Sequence, residues 1–272
     1  MSARLHFGTS SWNYKDWVGP FYPPGTKAPD MLAFYSGIFS SVEVDSSYYG
    51  IPRATTVQLW RQRSCDGFTF SFKTPSTVTH ERRFVNADTY FAAFLGRVRA
   101  MGDKAGAILI QCPPDFAPTR DARAALFSFL ETELPGDLPV ALELRDPRWY
   151  DSTLFDFARA VKFTLAVTDG SHGDTTLASR IVEDLVRQPA VPYAYIRWLG
   201  DQSFPKYDCV QLDRSGSLDV WERLIRSLRA TCTDIYAYAS NDYEGYAPAT
   251  VRSMIVRLGE PAPKETGELR LL

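Results

Sequence analysis

At 272 residues, with 45% hydrophobic and 23% charged positions, the chain is long enough for one large core, and its composition excludes disorder and fibrous structure. A net charge of −2 argues against a generic nucleic-acid binder, which needs clustered Lys and Arg to neutralise phosphates, although a local basic patch stays open. Four widely spaced cysteines (Cys65, Cys112, Cys209, Cys232) without a C-x-x-C pair argue against a zinc knuckle or disulfide framework, so reduced, mostly buried thiols are expected.

The N-terminus runs from "MSARLHFG" straight into a strand pattern, with no apolar leader. The strand "LHFGT" is left through a long segment too rich in Gly and Pro for a helix, yet holding Trp12, Tyr14, Trp17, Phe21 and Tyr22. "SVEVDS" then precedes the helix-period stretch "TTVQLWRQRS", "FTFSFK" precedes "ADTYFAAFLGRVRAMG", and "GAILIQC" precedes "TRDARAALFSFLETEL". "PVALELR" leads to "TLFDFARAVK", followed by "FTLAVTD", by "AYIRWLG" with "SLDVWERLIRSLRA", and by "IYAYASND" with "APATVRSMIVRL". The longest apolar run, near "AILI", is too short for a membrane span, so a cytoplasmic protein without membrane contact is expected.

Repeated strand–helix units imply a parallel sheet with right-handed crossovers, and eight of them predict an α/β fold, a single-domain (β/α)8 TIM-type barrel over residues 1–272 with a long aromatic loop after the first strand. Two small domains or an open doubly wound sheet are the alternatives. The missing G-x-G-x-x-G turn counts against the dinucleotide-binding form of the latter. Residues 259–272, "GEPAPKETGELRLL", read as a surface tail.

In such a barrel, side chains alternate between helices and lumen, and chemistry sits at the C-terminal strand ends. Alternation places Glu43, Asp45, Lys73, Gln111, Glu143, Arg145, Asp169, Arg197 and Asn241 inward, each at the end of its strand. Four of these are carboxylates and three are cations, so an ion-pair network closing the barrel top is the plainer alternative to a catalytic or binding floor. Glu43 is the expected proton donor, and Glu143, two residues from Arg145 on one face, suits a base or positioning group. Lys73 offers a nucleophile or Schiff-base former, without an aldolase motif beside it. His80, grouped with Arg82 and Arg83 in "THERRF", reads as a rim cluster or an anion-recognition patch that Arg145 and Arg197 extend.

The aromatic rings of the first loop, with Tyr48, Tyr49, Trp149, Trp198, Tyr243 and Tyr246, read either as walls for a sugar or nucleobase or as packing for the loop. His6, His80 and His172 lack ligand spacing, so no metal site or cofactor is assigned. A carboxylate-bound Mg²⁺ or Mn²⁺ at Glu43, Asp45 and Asp169 stays open, against competing Lys and Arg. Pro113 and Pro114 end a strand and stiffen the rim, with a cis bond left open.

The segments "GTSSWNYKDWVGPFYP", "VEVDSSYYGIP", "FKTPSTVTHERRF", "LIQCPPDF", "LELRDPRWY", "YIRWLGD" and "SNDYEGYAPATV" resemble, in order, the signature segments of the YecE-like family, a domain of unknown function numbered seventy-two. The resemblance runs from Phe7 to about Val251 and implies a TIM-type barrel. It implies no reaction, but it does imply a shared site at Gly8, Thr9, Trp12, Tyr14, Trp17, Glu43, Tyr49, Lys73, Thr79, His80 and Arg83. The pattern continues through Gln111, Pro113, Pro114, Glu143, Arg145, Trp149, Arg197, Gly200, Asn241, Asp242, Gly245 and Tyr246. The chain departs from the family pattern at Asp45 and Ser240, where Asn is usual, and near Trp198 or Leu199, where His is common.

The expected function is an enzyme, hydrolase or lyase, acting on an anionic ring-containing small molecule such as a phosphorylated sugar or nucleotide fragment. A single-stranded nucleic-acid binding module, less favoured, and a non-catalytic ligand carrier are the alternatives. Oligomeric state is not read from the sequence.

Overall fold

The computed structural model describes residues 3–170 and 173–263. Eight strands, β1 (Arg4–Thr9), β2 (Ser41–Val44), β3 (Thr69–Lys73), β4 (Ala105–Gln111), β5 (Val140–Glu143), β6 (Thr164–Thr168), β7 (Tyr193–Trp198) and β8 (Asp234–Ala239), pair in parallel in the order β1-β8-β7-β6-β5-β4-β3-β2. This is the predicted barrel, nearly closed. Between the strands run α1 (Ala28–Ser36), α2 (Ala54–Arg63), α3 (Asp88–Arg99), α4 (Arg120–Glu133), α5 (Ser152–Val161), α6 (Thr176–Arg187) and α7 (Ser215–Leu228), and α8 (Ala247–Arg257) follows β8.

Two helices exceed the sequence reading. Helix α1 buries Met31, Leu32, Phe34, Tyr35 and Ser36, which cover most of its circumference and leave no polar stripe to betray its period. Helix α6 buries Ala178, Ile181, Val182 and Leu185, the spacing of one helical face, so there the signal was present. Of the expected tail, only residues 259–263 are described, and the remainder lies outside the described residues. Cys65 and Cys209 are exposed while Cys112 and Cys232 are buried, and all four are free thiols, which corrects the expectation of mostly buried ones. Described peptide bonds are all trans, Pro113 and Pro114 included. No helix among the described residues is long and apolar enough to cross a membrane.

Strand register fixes which side chains enter the lumen, because residues paired across parallel strands share a face. Ala166 pairs with Tyr195 and Thr168 with Arg197, Arg197 with Tyr238, and Gln111 with Glu143. The lumen is filled by Ala107, Leu109, Ala141, Ala166, Tyr195, Tyr236 and Tyr238. Four of those seven side chains are small or aliphatic, which leaves room for the three tyrosine rings. Leu165, Val167, Ile196 and Ala237 face the helices in a separate, larger core.

Among the described residues, the β1–β2 seam is the one place where the barrel's ladder is replaced by side chains. Only an isolated bridge, Ser10 to Glu43, joins the two strands. Upstream of it, the Thr9 amide donates to the Tyr35 hydroxyl at 2.8 Å, and that hydroxyl donates to the Ser41 carbonyl at 3.2 Å. Ser40 Oγ likewise accepts from the Phe7 amide and donates to the Leu5 carbonyl, both at 3.0 Å. Backbone groups that a full ladder would satisfy are thereby paired within the seam.

At the opposite, N-terminal end, His6 Nε2 lies 2.8 Å from Asp234 Oδ1, Nδ1 lies 3.2 Å from Thr69 Oγ1, and the ring stacks on Tyr236. Burial, helped by the Arg4 charge, lowers the His6 pKa against the pull of the Asp234 carboxylate. The folded chain therefore resists a proton that the unfolded chain accepts, so stability is present above the ordinary imidazole value of about 6.5 and is lost as pH falls through it. Urea unfolding across about pH 7.5 to 5 is expected to show stability falling toward acid, with a shallower fall in His6→Gln; an unchanged slope would refute the assignment.

Candidate functional site

The C-terminal mouth is built on one buried guanidinium. From β7, Arg197 donates through Nε and Nη2 to the Glu43 carboxylate of β2, the shortest contact being 2.7 Å, and through Nη1 to Glu143 of β5 at 2.7 Å. These three side chains are at most 3% exposed. Glu43 also accepts from Ser10 Oγ at 2.9 Å and the Tyr195 hydroxyl at 2.7 Å. Gln111 Nε2 donates to Glu143 at 2.6 Å. Burial alone pulls the Arg197 pKa down, but Glu43, Glu143 and Asp45 raise it well above the ordinary value. Burial pushes Glu143 up, and the Arg197 and Arg145 charges outweigh it, holding the carboxyl low.

Four donors thus converge on Glu43, the expected proton donor, and its carboxylate anchors Arg197. Its neighbour Asp45 lies in the turn after β2. Burial and the Glu43 charge raise the Asp45 pKa against the pull of Arg197 and Lys73. Its Oδ1 is sealed from solvent without a hydrogen-bond partner, 3.9 Å from Lys73 Nζ at the end of β3.

Lys73 Nζ stands 4.6 Å over the Tyr48 ring, and burial followed by the Arg197 charge lowers its pKa. His80, in the turn Thr77–Glu81 after β3, meets the same ring edge-on and shares a 2.8 Å hydrogen bond with Thr79 Oγ1 through Nδ1. Burial, then Lys73 and Arg145, lower its pKa. Arg145 touches the floor through a 3.4 Å contact from Nε to Glu143 and is otherwise open to solvent. It lines a cavity of about 510 Å³ with Glu143, Thr168, Asp169, Leu199 and Gly200.

Glu43, Lys73, Gln111, Glu143, Arg145 and Arg197 thus come together at one mouth, while other expected residues do not. Asp169 is turned away: β6 ends at Thr168, whose register matches Arg197, and the Asp169 carboxylate accepts from the Leu199 and Gly200 amides at 2.5 and 2.9 Å. It reaches the cavity as part of its wall. Asn241 lies beyond the end of β8, where Oδ1 accepts from the Ala247 amide at the start of α8. Asp242 accepts from the Tyr207 hydroxyl. Arg83 pairs with Asp115 on the rim, and Arg82 covers the Tyr90 ring. Glu43, Asp45 and Asp169 make no metal-ligating group among the described residues, because the first is held by Arg197 and the third by backbone amides.

The aromatic rings largely resolve into packing. Trp12 is buried edge-on against Trp60 and Phe70, and Trp17 is buried among Tyr14, Phe21, Tyr22 and Tyr246. Trp149, expected as a stacking surface, is fully buried on Phe116 with its indole N–H donating to that residue's carbonyl. Trp198 and Tyr243 are also buried. Tyr14 and Tyr246 are half-buried in the loop core, and Tyr14 donates to the Ser10 carbonyl. Tyr49 stands free at 85% exposure, edge-on to Tyr48. Ser10, Tyr195 and Tyr207 were missed. Tyr195 precedes Arg197 by two positions on the same face, so alternation could have found it.

Fold and site together define a TIM-type barrel whose mouth carries a buried carboxylate–guanidinium–carboxylate bridge beneath a cluster of basic side chains. The chain belongs to the family described as "Protein of unknown function DUF72", which matches residues 6–269. UPF0759 protein YunF of Bacillus subtilis is 24% identical over 92% of this chain and 93% of its own length. UPF0759 protein YecE of Escherichia coli is 28% identical, and that match spans 54% of this chain and 50% of the relative. A crystal structure of a DUF72 family protein from Thermotoga maritima superimposes with a TM-score of 0.75 at 22% identity, over 94% of this chain and 99% of that one. That likeness concerns the fold.

Proposed function

We propose that the protein is an enzyme, a hydrolase or lyase, that binds an anionic ring-containing small molecule such as a phosphorylated sugar or nucleotide fragment at the barrel mouth. The observation that carries this reading is a contrast between spent acceptors and unspent donors. Glu43 and Glu143 are both committed to Arg197 and Asp169 to two amides, whereas Lys73, Arg145 and His80 converge with donors to spare. An anion accepts from these donors, and Arg145 offers it a planar fork. Tyr48 and exposed Tyr49 present flat surfaces to a ring.

Acid–base work falls to the groups whose environments disfavour their charged forms. Asp45, with its raised pKa, gives a proton, and His80, with its lowered one, is neutral near pH 7 and accepts one. Glu143 positions Arg197 and Arg145.

Calorimetric titration with inorganic phosphate, sugar phosphates and nucleoside monophosphates tests the reading. Arg145→Ala is expected to weaken the bound anion about 10- to 100-fold, the worth of one charge-assisted hydrogen-bond pair. Among substrates that turn over, Asp45→Asn and His80→Gln should lower kcat more than they raise KM. Absence of anion binding at low ionic strength, or tight oligonucleotide binding with a steep salt slope, would replace this reading.

A further inference from the structure

We propose that Lys73 captures a carbonyl group of the substrate as a covalent imine, with Asp45 carrying the proton. This rests on the mouth being a substrate site, but not on the substrate being an anion. The chain contains its own reference for a buried structural lysine. Lys104, 6% exposed, donates to the carbonyls of Arg61, Ser64 and Cys65 and to Ser64 Oγ, all within 3.0 Å. An ammonium held that way is fixed and inert. Lys73, whose side chain is 14% exposed, has no acceptor within hydrogen-bond distance among the described residues, and its nearest anionic atom is Asp45 Oδ1 at 3.9 Å. It faces the mouth with an aromatic ring below its amine and a guanidinium among its close charges. An amine short of acceptors and crowded by a cation gives up its proton readily, which is how a lysine becomes a nucleophile at neutral pH.

Asp45 Oδ1 is the complementary half: a sealed carboxyl oxygen without a partner, facing that amine. The neutral Lys73 nitrogen attacks the carbonyl carbon, and its surplus proton passes through Asp45 to the former carbonyl oxygen, giving a carbinolamine. Protonated Asp45 then gives one proton to the carbinolamine hydroxyl and the carbon–oxygen bond breaks. Water leaves as the nitrogen lone pair forms the carbon–nitrogen double bond, leaving an iminium beside the Asp45 carboxylate. Arg197, bound on both sides, cannot move to neutralise Asp45, so the new cation does so.

The full chain is incubated with pyridoxal 5′-phosphate, an anionic ring-bearing aldehyde, reduced with sodium borohydride, and digested for mass-spectrometric mapping of the adduct. Lys73 is expected to be labelled at least about tenfold faster than the exposed Lys15 and Lys27, as for a desolvated amine beside a cation. Asp45→Asn should slow labelling at Lys73 about tenfold or more while leaving thermal unfolding and the Lys15 and Lys27 rates in place, which a merely structural role would not produce. Adducts spread over exposed lysines with Lys73 behind them would overturn the proposal, and this readout on the unmodified chain needs no variant to fold. Pyridoxal without its phosphate separates the two readings. Equal labelling of Lys73 by both aldehydes supports the imine and removes the anion preference, whereas phosphate binding without labelling keeps the anion site and refutes the imine.

Discussion

Arg197→Met is expected to destabilise the fold by about 3–5 kcal/mol, the cost of stripping a buried charge of its partner. For a chain of this size that corresponds to a fall in Tm of about 6–20 °C, at roughly 2–4 °C per kcal/mol. The effect is large because one guanidinium serves two carboxylates. Glu43 and Glu143 are both buried, and without Arg197 they face each other across the mouth with no cation at the same depth. Ser10, Tyr195 and Gln111 still donate to them, but neutral donors do not cancel charge. Adding Glu43→Gln and Glu143→Gln should recover most of the loss, since the ions are removed and each amide keeps one acceptor oxygen. The new NH2 group at position 43 can donate to whichever of the Ser10 and Tyr195 hydroxyls is left without an acceptor. If thermal unfolding showed the single variant as stable as the parent, the bridge would be ornamental and the electrostatic description of the mouth would fail. If the triple variant stayed as unstable as the single one, the loss would lie in packing around the Arg197 stem.

Gly8→Ala is expected to cost about 3 kcal/mol, the upper end of overpacking penalties in a filled core. A Cβ on Gly8 would sit 1.8 Å from the Ser41 carbonyl oxygen and 2.8 Å from the Tyr35 hydroxyl. The first obstacle is backbone, which cannot rotate out of the way. Displacing it opens the β1–β2 seam, where Tyr35 alone links the Thr9 amide to Ser41, and leaves buried polar groups without partners. The site feels the same displacement, because Ser10 lies two residues on and holds Glu43. Gly50→Ala, where the added methyl meets nothing within 4 Å, is the control and should change stability by less than about 0.5 kcal/mol. Equal urea midpoints for the two variants would show that the seam is not closed as described.

Most residues that alternation placed correctly lie inside or at the end of a regular strand; Arg145, two positions past β5 and tied back to Glu143, is the exception. Glu43, Lys73, Gln111, Glu143 and Arg197 all fall within β2, β3, β4, β5 and β7, where the pleat enforces a period of two. Asp169 and Asn241 were misplaced because they follow the last residues of β6 and β8. Past the strand end the chain turns, and each side chain points where its hydrogen bonds take it. For Asp169 these are the Leu199 and Gly200 amides, and for Asn241 the opening amide of α8. Asp45 also lies past its strand, and a one-dimensional pattern could give it no role beyond a possible metal ligand.

By itself, the sequence determined the barrel, its approximate strand boundaries and the inward set of charges, because local period and composition are properties of neighbours along the chain. Which charges cancel and which remain free was decided only in three dimensions, since Arg197, Glu43 and Glu143 come from three strands far apart in sequence. The same holds for the rings: Trp12, Trp17 and Trp149 look alike in the chain to the exposed Tyr49, and only the elements that fold over them distinguish a packed surface from an open one. Burial and pairing are sums over distant partners, and no window along the sequence contains them.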